Sequence, residues 1–136
     1  MDRCEKLRDN LYSAELLTGS ITPHKEHLAE IFYIVNRTAD IEFIEKEALQ
    51  MITQFGKTVY HFCGGQSESW QKAFRDTAQK IYPEDSEKVV IRGYESAEKF
   101  ADKLNSALQE RYFVPTDFYL IYDDEEMYKQ VAKMLK

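Results

Sequence analysis

Cysteine is scarce in this chain. Its 136 residues hold two, Cys4 and Cys63, far apart and in no CxxC arrangement. That excludes a disulfide-stapled scaffold and leads to the expectation of free thiols in a reducing cytoplasm. No apolar stretch approaches the roughly 18 residues of a membrane span, so no membrane association is expected. The charged start Met1-Asp2-Arg3-Cys4-Glu5-Lys6 lacks the character of a signal peptide. Asn36-Arg37-Thr38 matches a glycosylation sequon, which is empty without secretion. Lysine and arginine occur only singly and the net charge is −6, which argues against a protein that tracks nucleic-acid phosphates. There is no GxGxxG or Walker A pattern, no repeat of fixed period, and no low-complexity tract.

What is present suffices for a core. The apolar fraction is 43% and the charged fraction 31%, so the chain is no disordered polyelectrolyte. Its length suits a single domain. With 9 Tyr and 8 Phe there are more rings than a small core needs. Either they fill the interior, or some form a half-exposed contact surface.

The run Val89-Val90-Ile91-Arg92-Gly93 organises the pattern. It is β-branched, apolar and followed by glycine, as expected of a strand buried on both faces. Similar runs lie at 58–63 and 118–122, and helical periodicity follows each. Trp70, Ala73, Phe74, Ala78 and Ile81 share one helical face, and Phe100, Ala101, Leu104 and Leu108 another. Ser67 is expected to cap the first of these helices, which Pro83 closes. Asp123 with Glu126 resembles a capping box for a last helix. Before residue 57 the spacing predicts three helices. One carries Cys4, Leu7, Leu11 and Ala14; one opens at Thr22-Pro23 and carries Leu28, Ile31, Phe32 and Val35. The third carries Ile41, Ile44, Ala48, Met51 and Phe55 and stops at Gly56. The expected fold is therefore α/β, a three-stranded parallel sheet with strands near 58–63, 89–92 and 118–122. Helices cover it, and a helical segment (1–56) packs on a βαβαβα unit (57–136). The segment 57–63 has a second reading, as a continuation of the third helix past Gly56.

Ligands of open α/β sheets gather at the carboxyl ends of the strands. Here those ends carry Gly64, Gly65 and Ser67, then Arg92, Tyr94 and Glu95, then Tyr122, Asp123, Asp124, Glu125 and Glu126. Backbone N–H groups at Gly64 and Gly65 with the charge of Arg92 suit an anion, and Asp123 with Asp124 suits Mg²⁺. Glycine in a turn and Ser67 or Asp123 as a helix cap are the plainer uses of the same residues. Gly65-Gln66-Ser67-Glu68-Ser69 has the outline of a nucleophile elbow, but no histidine follows His61 to serve as base. His24, His27, His61 and Cys63 offer four donors to zinc at a spacing that matches no known zinc pattern. No catalytic residue, cofactor or metal is assigned on these grounds. No stretch resembles a known family closely enough to name one.

Negative charge, abundant tyrosine and the lack of a catalytic set lead to one expectation. It is a cytoplasmic, non-enzymatic protein-binding domain of the inhibitor, immunity or antitoxin kind, masking a basic partner such as a toxin or nuclease. Tyr122, Asp123, Asp124, Glu125, Glu126, Tyr94 and Glu95 would form its surface. The alternative is a small enzyme that binds a nucleotide or phosphate ligand through Gly64, Gly65, Ser67 and Arg92. A subunit of a larger assembly is a third possibility, and an exposed apolar patch would mark it.

Overall fold

A computed structural model describes residues 4–16, 21–24, 26–110 and 115–136. The strands are β1 (Glu5–Arg8), β2 (Leu11–Glu15), β3 (Leu28–Ile34), β4 (Val59–Cys63), β5 (Val90–Gly93) and β6 (Thr116–Tyr122). The α-helices are α1 (Ile41–Phe55), α2 (Ser67–Ile81), α3 (Ala97–Gln109) and α4 (Glu125–Met134). All strands join one six-stranded sheet in the order β1-β2-β6-β3-β4-β5. Every neighbouring pair is parallel except the β1–β2 hairpin.

The fold is α/β, as the alternation of patterns implies, but the sheet has six strands where three were expected. Among its described residues the expected N-terminal helical segment contains one helix, α1. The first expected helix is the β1–β2 hairpin, and most of the second is β3. The physical reason lies in Ile31-Phe32-Tyr33-Ile34-Val35, where every residue is fully buried. A strand covered on both faces reads as continuous apolar sequence, and a short run of that kind fits a helix stripe equally well. The segment after Gly56 is strand, with Gly56 at φ 71 stopping α1 and donating its N–H to Ile52.

Val90–Gly93, expected to be buried on both faces, stands at the sheet edge, where Arg92 and Gly93 are exposed. The centre is β6 against β3, paired over seven residues from Leu28↔Thr116 to Ile34↔Tyr122. Two caps also differ from expectation. Asp124, not Asp123, caps α4, accepting from the N–H groups of Glu126 and Met127. Gln66 occupies the cap position of α2 and makes no side-chain cap bond. Ser67 is the first residue of α2, its Oγ accepting from Gln71 Nε2 at 2.9 Å.

Alternation along the strands divides the core in two. Tyr33, Tyr60, Phe62, Tyr119 and Ile121 pack with α1 and α2, among them Trp70 and Phe74. Phe32, Ile34, Cys63, Phe118 and Leu120 pack beneath Phe100 and Leu104 of α3 and Val131 of α4. Each of these large side chains contributes about 1.5–3 kcal/mol of burial. Among the described residues eight of the tyrosine and phenylalanine rings are core, and Tyr12, Phe43, Phe55, Tyr82, Tyr94, Tyr122 and Tyr128 remain half-exposed. Among the described residues no helix is long and apolar enough to cross a membrane.

Candidate functional site

Because β3, β4, β5 and β6 run parallel, their carboxyl ends share one rim. The chain leaves β3 toward β4 on one side and returns through α3 to β6 on the other. The crevice between β3 and β6 is thus the switch point where such sheets usually hold a ligand. Here the chain fills it with its own carboxylate. Asp123 accepts from the backbone N–H groups of Asn36 at 2.8 Å, Arg37 at 2.9 Å and Thr38 at 2.7 Å. Asn36 ties the neighbouring strand ends together, donating from Nδ2 to Asp124 and accepting the Gly65 N–H on Oδ1. The bond from Asn36, the two helix N–H groups and the Arg37 guanidinium at 3.7 Å hold Asp124 below the usual carboxylate range. Both aspartates have structural work, which leaves them ill suited to holding Mg²⁺ at this crevice.

A cleft of about 520 Å³ opens beside them between the ends of β4 and β5. Gly64, Gly65, Ser67 and Tyr94 line it, and Glu68 and Glu95 bring negative charge to its wall. Arg92, expected to join the glycines, is not part of the cleft. It pairs in register with His61, on the face of the sheet that α3 covers. Gly64 has φ 112, and a Cβ there would meet the Val35 carbonyl oxygen at 2.5 Å. Its purpose is close approach to β3. With its hydroxyl engaged by Gln71, Ser67 has no imidazole beside it in this arrangement.

A second concavity, about 390 Å³, lies at the other end of the rim and is lined by Glu5, Ser13, Glu15, Tyr122 and Glu125. Tyr122 stacks on Tyr128 with ring centroids 4.1 Å apart and planes 8° from parallel. Burial raises the Tyr122 hydroxyl pKa, and the charges of Glu15, Glu125 and Glu5 raise it further. Glu125 has Lys129 at 3.6 Å, whereas Glu5 and Glu15 have no ion-pair partner among the described residues. Neither Glu5 nor Glu15 stood out in the sequence, because Glu15 reaches Tyr122 only through the parallel pairing of β2 with β6, and Glu5 joins them only through the hairpin. The expected partner residues thus fall into two groups. Tyr122 and Glu125 line this groove, with Asp123, Asp124 and Glu126 next to them in the chain, while Tyr94 and Glu95 stand about 14 Å along the rim, three strand spacings away.

The four expected zinc donors do not come together. His61 is fully buried, with Nε2 on Glu30 Oε1 at 2.6 Å and Nδ1 on the Tyr94 hydroxyl at 2.8 Å. Burial lowers its pKa against the opposing pull of Glu30, and Lys103 and Arg92 lower it further. A neutral imidazole satisfies both contacts, donating Nε2–H to Glu30 and accepting from Tyr94. Burial also pushes the Tyr94 hydroxyl up to about 12, and the Cys63 thiol likewise to about 12 with help from Asp123. A thiol so placed is inert as a nucleophile. His24 and His27 lie at the opposite, amino end of the strands, against Asp117.

Comparison with protein-family models, curated proteins and solved structures finds no match to this chain.

Proposed function

We propose that this is an acidic protein-binding domain that receives a basic element of its partner in the groove at Tyr122. The single observation behind this reading is the grouping of Glu5, Glu15 and Glu125 around one half-exposed, stacked tyrosine. A lysine or arginine placed there gains the ring face of Tyr122 and the field of the carboxylates together. Glu126 and, farther along the rim, Glu95 extend the same sign of charge. Asp123 and Asp124 serve indirectly, by fixing the strand end that carries Tyr122.

The test compares the wild-type chain with the Glu5→Lys/Glu15→Lys/Glu125→Lys variant as bait in extract of the source cell, at low and moderate salt. A basic protein held by wild type in stoichiometric amount, released by salt and lost from the variant, supports the reading. Equal capture by both baits, or none by wild type, rejects it.

A second reading places a small ligand in the cleft between β4 and β5. What favours it is the volume of the cleft together with the amino end of α2, which has no side-chain cap. Glu68 and Glu95 oppose a phosphate there. This reading expects a nucleotide with Mg²⁺ to raise the melting temperature and Gly65→Val to abolish the rise. An unmoved melting curve across a nucleotide panel ends it.

A further inference from the structure

At the amino end of the sheet three side chains converge from distant points in the chain. Asp117, the second residue of β6, is 4% exposed. His24 Nδ1 lies 2.6 Å and His27 Nδ1 2.8 Å from the same oxygen, Asp117 Oδ2. The possible ligand atoms of the three residues all fall within 4.8 Å of one another. The imidazoles meet edge to face with centroids 5.4 Å apart, and Tyr12 supports His24 from the other side at 5.7 Å. No lysine or arginine pairs with Asp117 among the described residues. Its side-chain hydrogen-bond partners among the described residues are the two histidines.

We propose that His24, His27 and Asp117 bind a divalent metal ion of the zinc type. Two neutral imidazoles and one carboxylate form a donor set that such ions favour, with bonds of about 2.0–2.2 Å. Tetrahedral coordination at those lengths sets donors roughly 3.3 Å apart. The present contacts would have to widen by about half an ångström, which rotation of the half-exposed histidines provides. The proton bookkeeping is also favourable. A single carboxylate oxygen accepts from both rings when each carries its proton on Nδ1. Moving that proton to the other ring nitrogen frees Nδ1 for the metal without loss of a proton from either neutral ring.

Three protein donors leave a position open, as in catalytic rather than structural zinc sites. A cavity of about 390 Å³ adjoins it, lined by all three donors and by Glu30, Thr58 and Lys88. Water or a small anionic group has room to complete the coordination. The site lies at the end of the strands opposite the Tyr122 groove, so it stands or falls independently of partner binding.

Zinc itself is the probe. Chelator-treated wild-type protein is titrated with Zn²⁺ by calorimetry, alongside His24→Gln, His27→Gln and His61→Gln. Cobalt absorption in the visible region reports the donor set independently. The expected result is one Zn²⁺ per chain for wild type and for His61→Gln. For His24→Gln and His27→Gln the affinity should fall at least ~10-fold. Each substituted side chain is partly exposed, and glutamine keeps an N–H able to donate to Asp117, so melting curves without metal should stay close to wild type. Failure of wild type to take up one equivalent overturns the assignment. Binding that survives both histidine substitutions overturns it equally, since the metal must then sit elsewhere.

Discussion

The Asp123 carboxylate spans from the end of β6 to the end of β3 and accepts the backbone N–H groups of Asn36, Arg37 and Thr38. A side chain here stands where α/β proteins commonly hold a ligand's anion. Asp123→Ala leaves three N–H groups without their acceptor, and water can replace it only in part. The expected loss is about 2 kcal/mol in urea unfolding, with an unchanged m-value. Asp123→Asn, which keeps one acceptor oxygen, should lose less.

Gly64 and Gly93 should respond differently to alanine. At Gly64 the backbone is at φ 112 and a Cβ would meet the Val35 carbonyl oxygen, which belongs to the chain end leaving β3. Gly64→Ala is expected to cost about 2 kcal/mol or more. A Cβ at Gly93 meets only the amide end of Gln71, a flexible side chain that can move aside. Gly93→Ala should melt close to wild type by circular dichroism.

His61 makes stability depend on pH in a defined direction. Its folded pKa is lowered from the ordinary 6.5, chiefly by burial, so the unfolded chain takes up the proton first. Stability is therefore fully present above about pH 6.5 and falls as the pH drops below it. His61→Gln can still bond to Glu30 and Tyr94 but does not titrate. The stability of wild type relative to this variant, measured by urea unfolding, should be greatest above pH 7. It should decline steadily toward pH 5.

Glu47 works in the opposite sense. It is half-buried on α1 and accepts from the Tyr33 hydroxyl at 2.8 Å. Burial raises its pKa, partly countered by that bond. A raised folded pKa means that ionisation above it opposes folding. Glu47→Gln retains an acceptor for Tyr33 and should be more stable than wild type at pH 7. The gain should vanish at acid pH, once Glu47 is protonated in both folded and unfolded chains.

The four helices and the strand β6 were legible because each has local signals that agree: a period, a cap or breaker, and a length. The signals at β4 were divided between a strand and a continuation of α1 past Gly56. Asp40 caps α1, Ser96 caps α3, and the buried faces of α2 and α3 are largely those the spacing predicts. β3 was not legible, since burial on both sides erases the alternation that distinguishes a strand. β2 failed for a related reason, because Leu11, Ser13 and Ala14 are all buried although they point to opposite faces. The edge position of β5 depends on strand order, which no local pattern carries.

The cluster at Asp117 was half visible. His24 and His27 were noticed, but the third donor lies more than 80 positions away, at the start of β6. Asp117, immediately before Phe118-Tyr119-Leu120-Ile121-Tyr122, matches no local motif that marks it as a ligand. The one signal available was that a carboxylate entering an all-buried strand must find partners.

The hairpin strand β1 gives the sheet its manner of ending. It is four residues long, exposed throughout, irregular in register between Lys6 and Arg8, and antiparallel to everything beyond it. Three of its four side chains are charged. Such an edge is a poor template for a further strand from another molecule. β2, by contrast, is a parallel strand with a buried apolar side chain on each face, and without its cover it would recruit one readily. β1 thus acts as a selvedge, finishing the weave so that individual molecules do not knit into a continuous sheet.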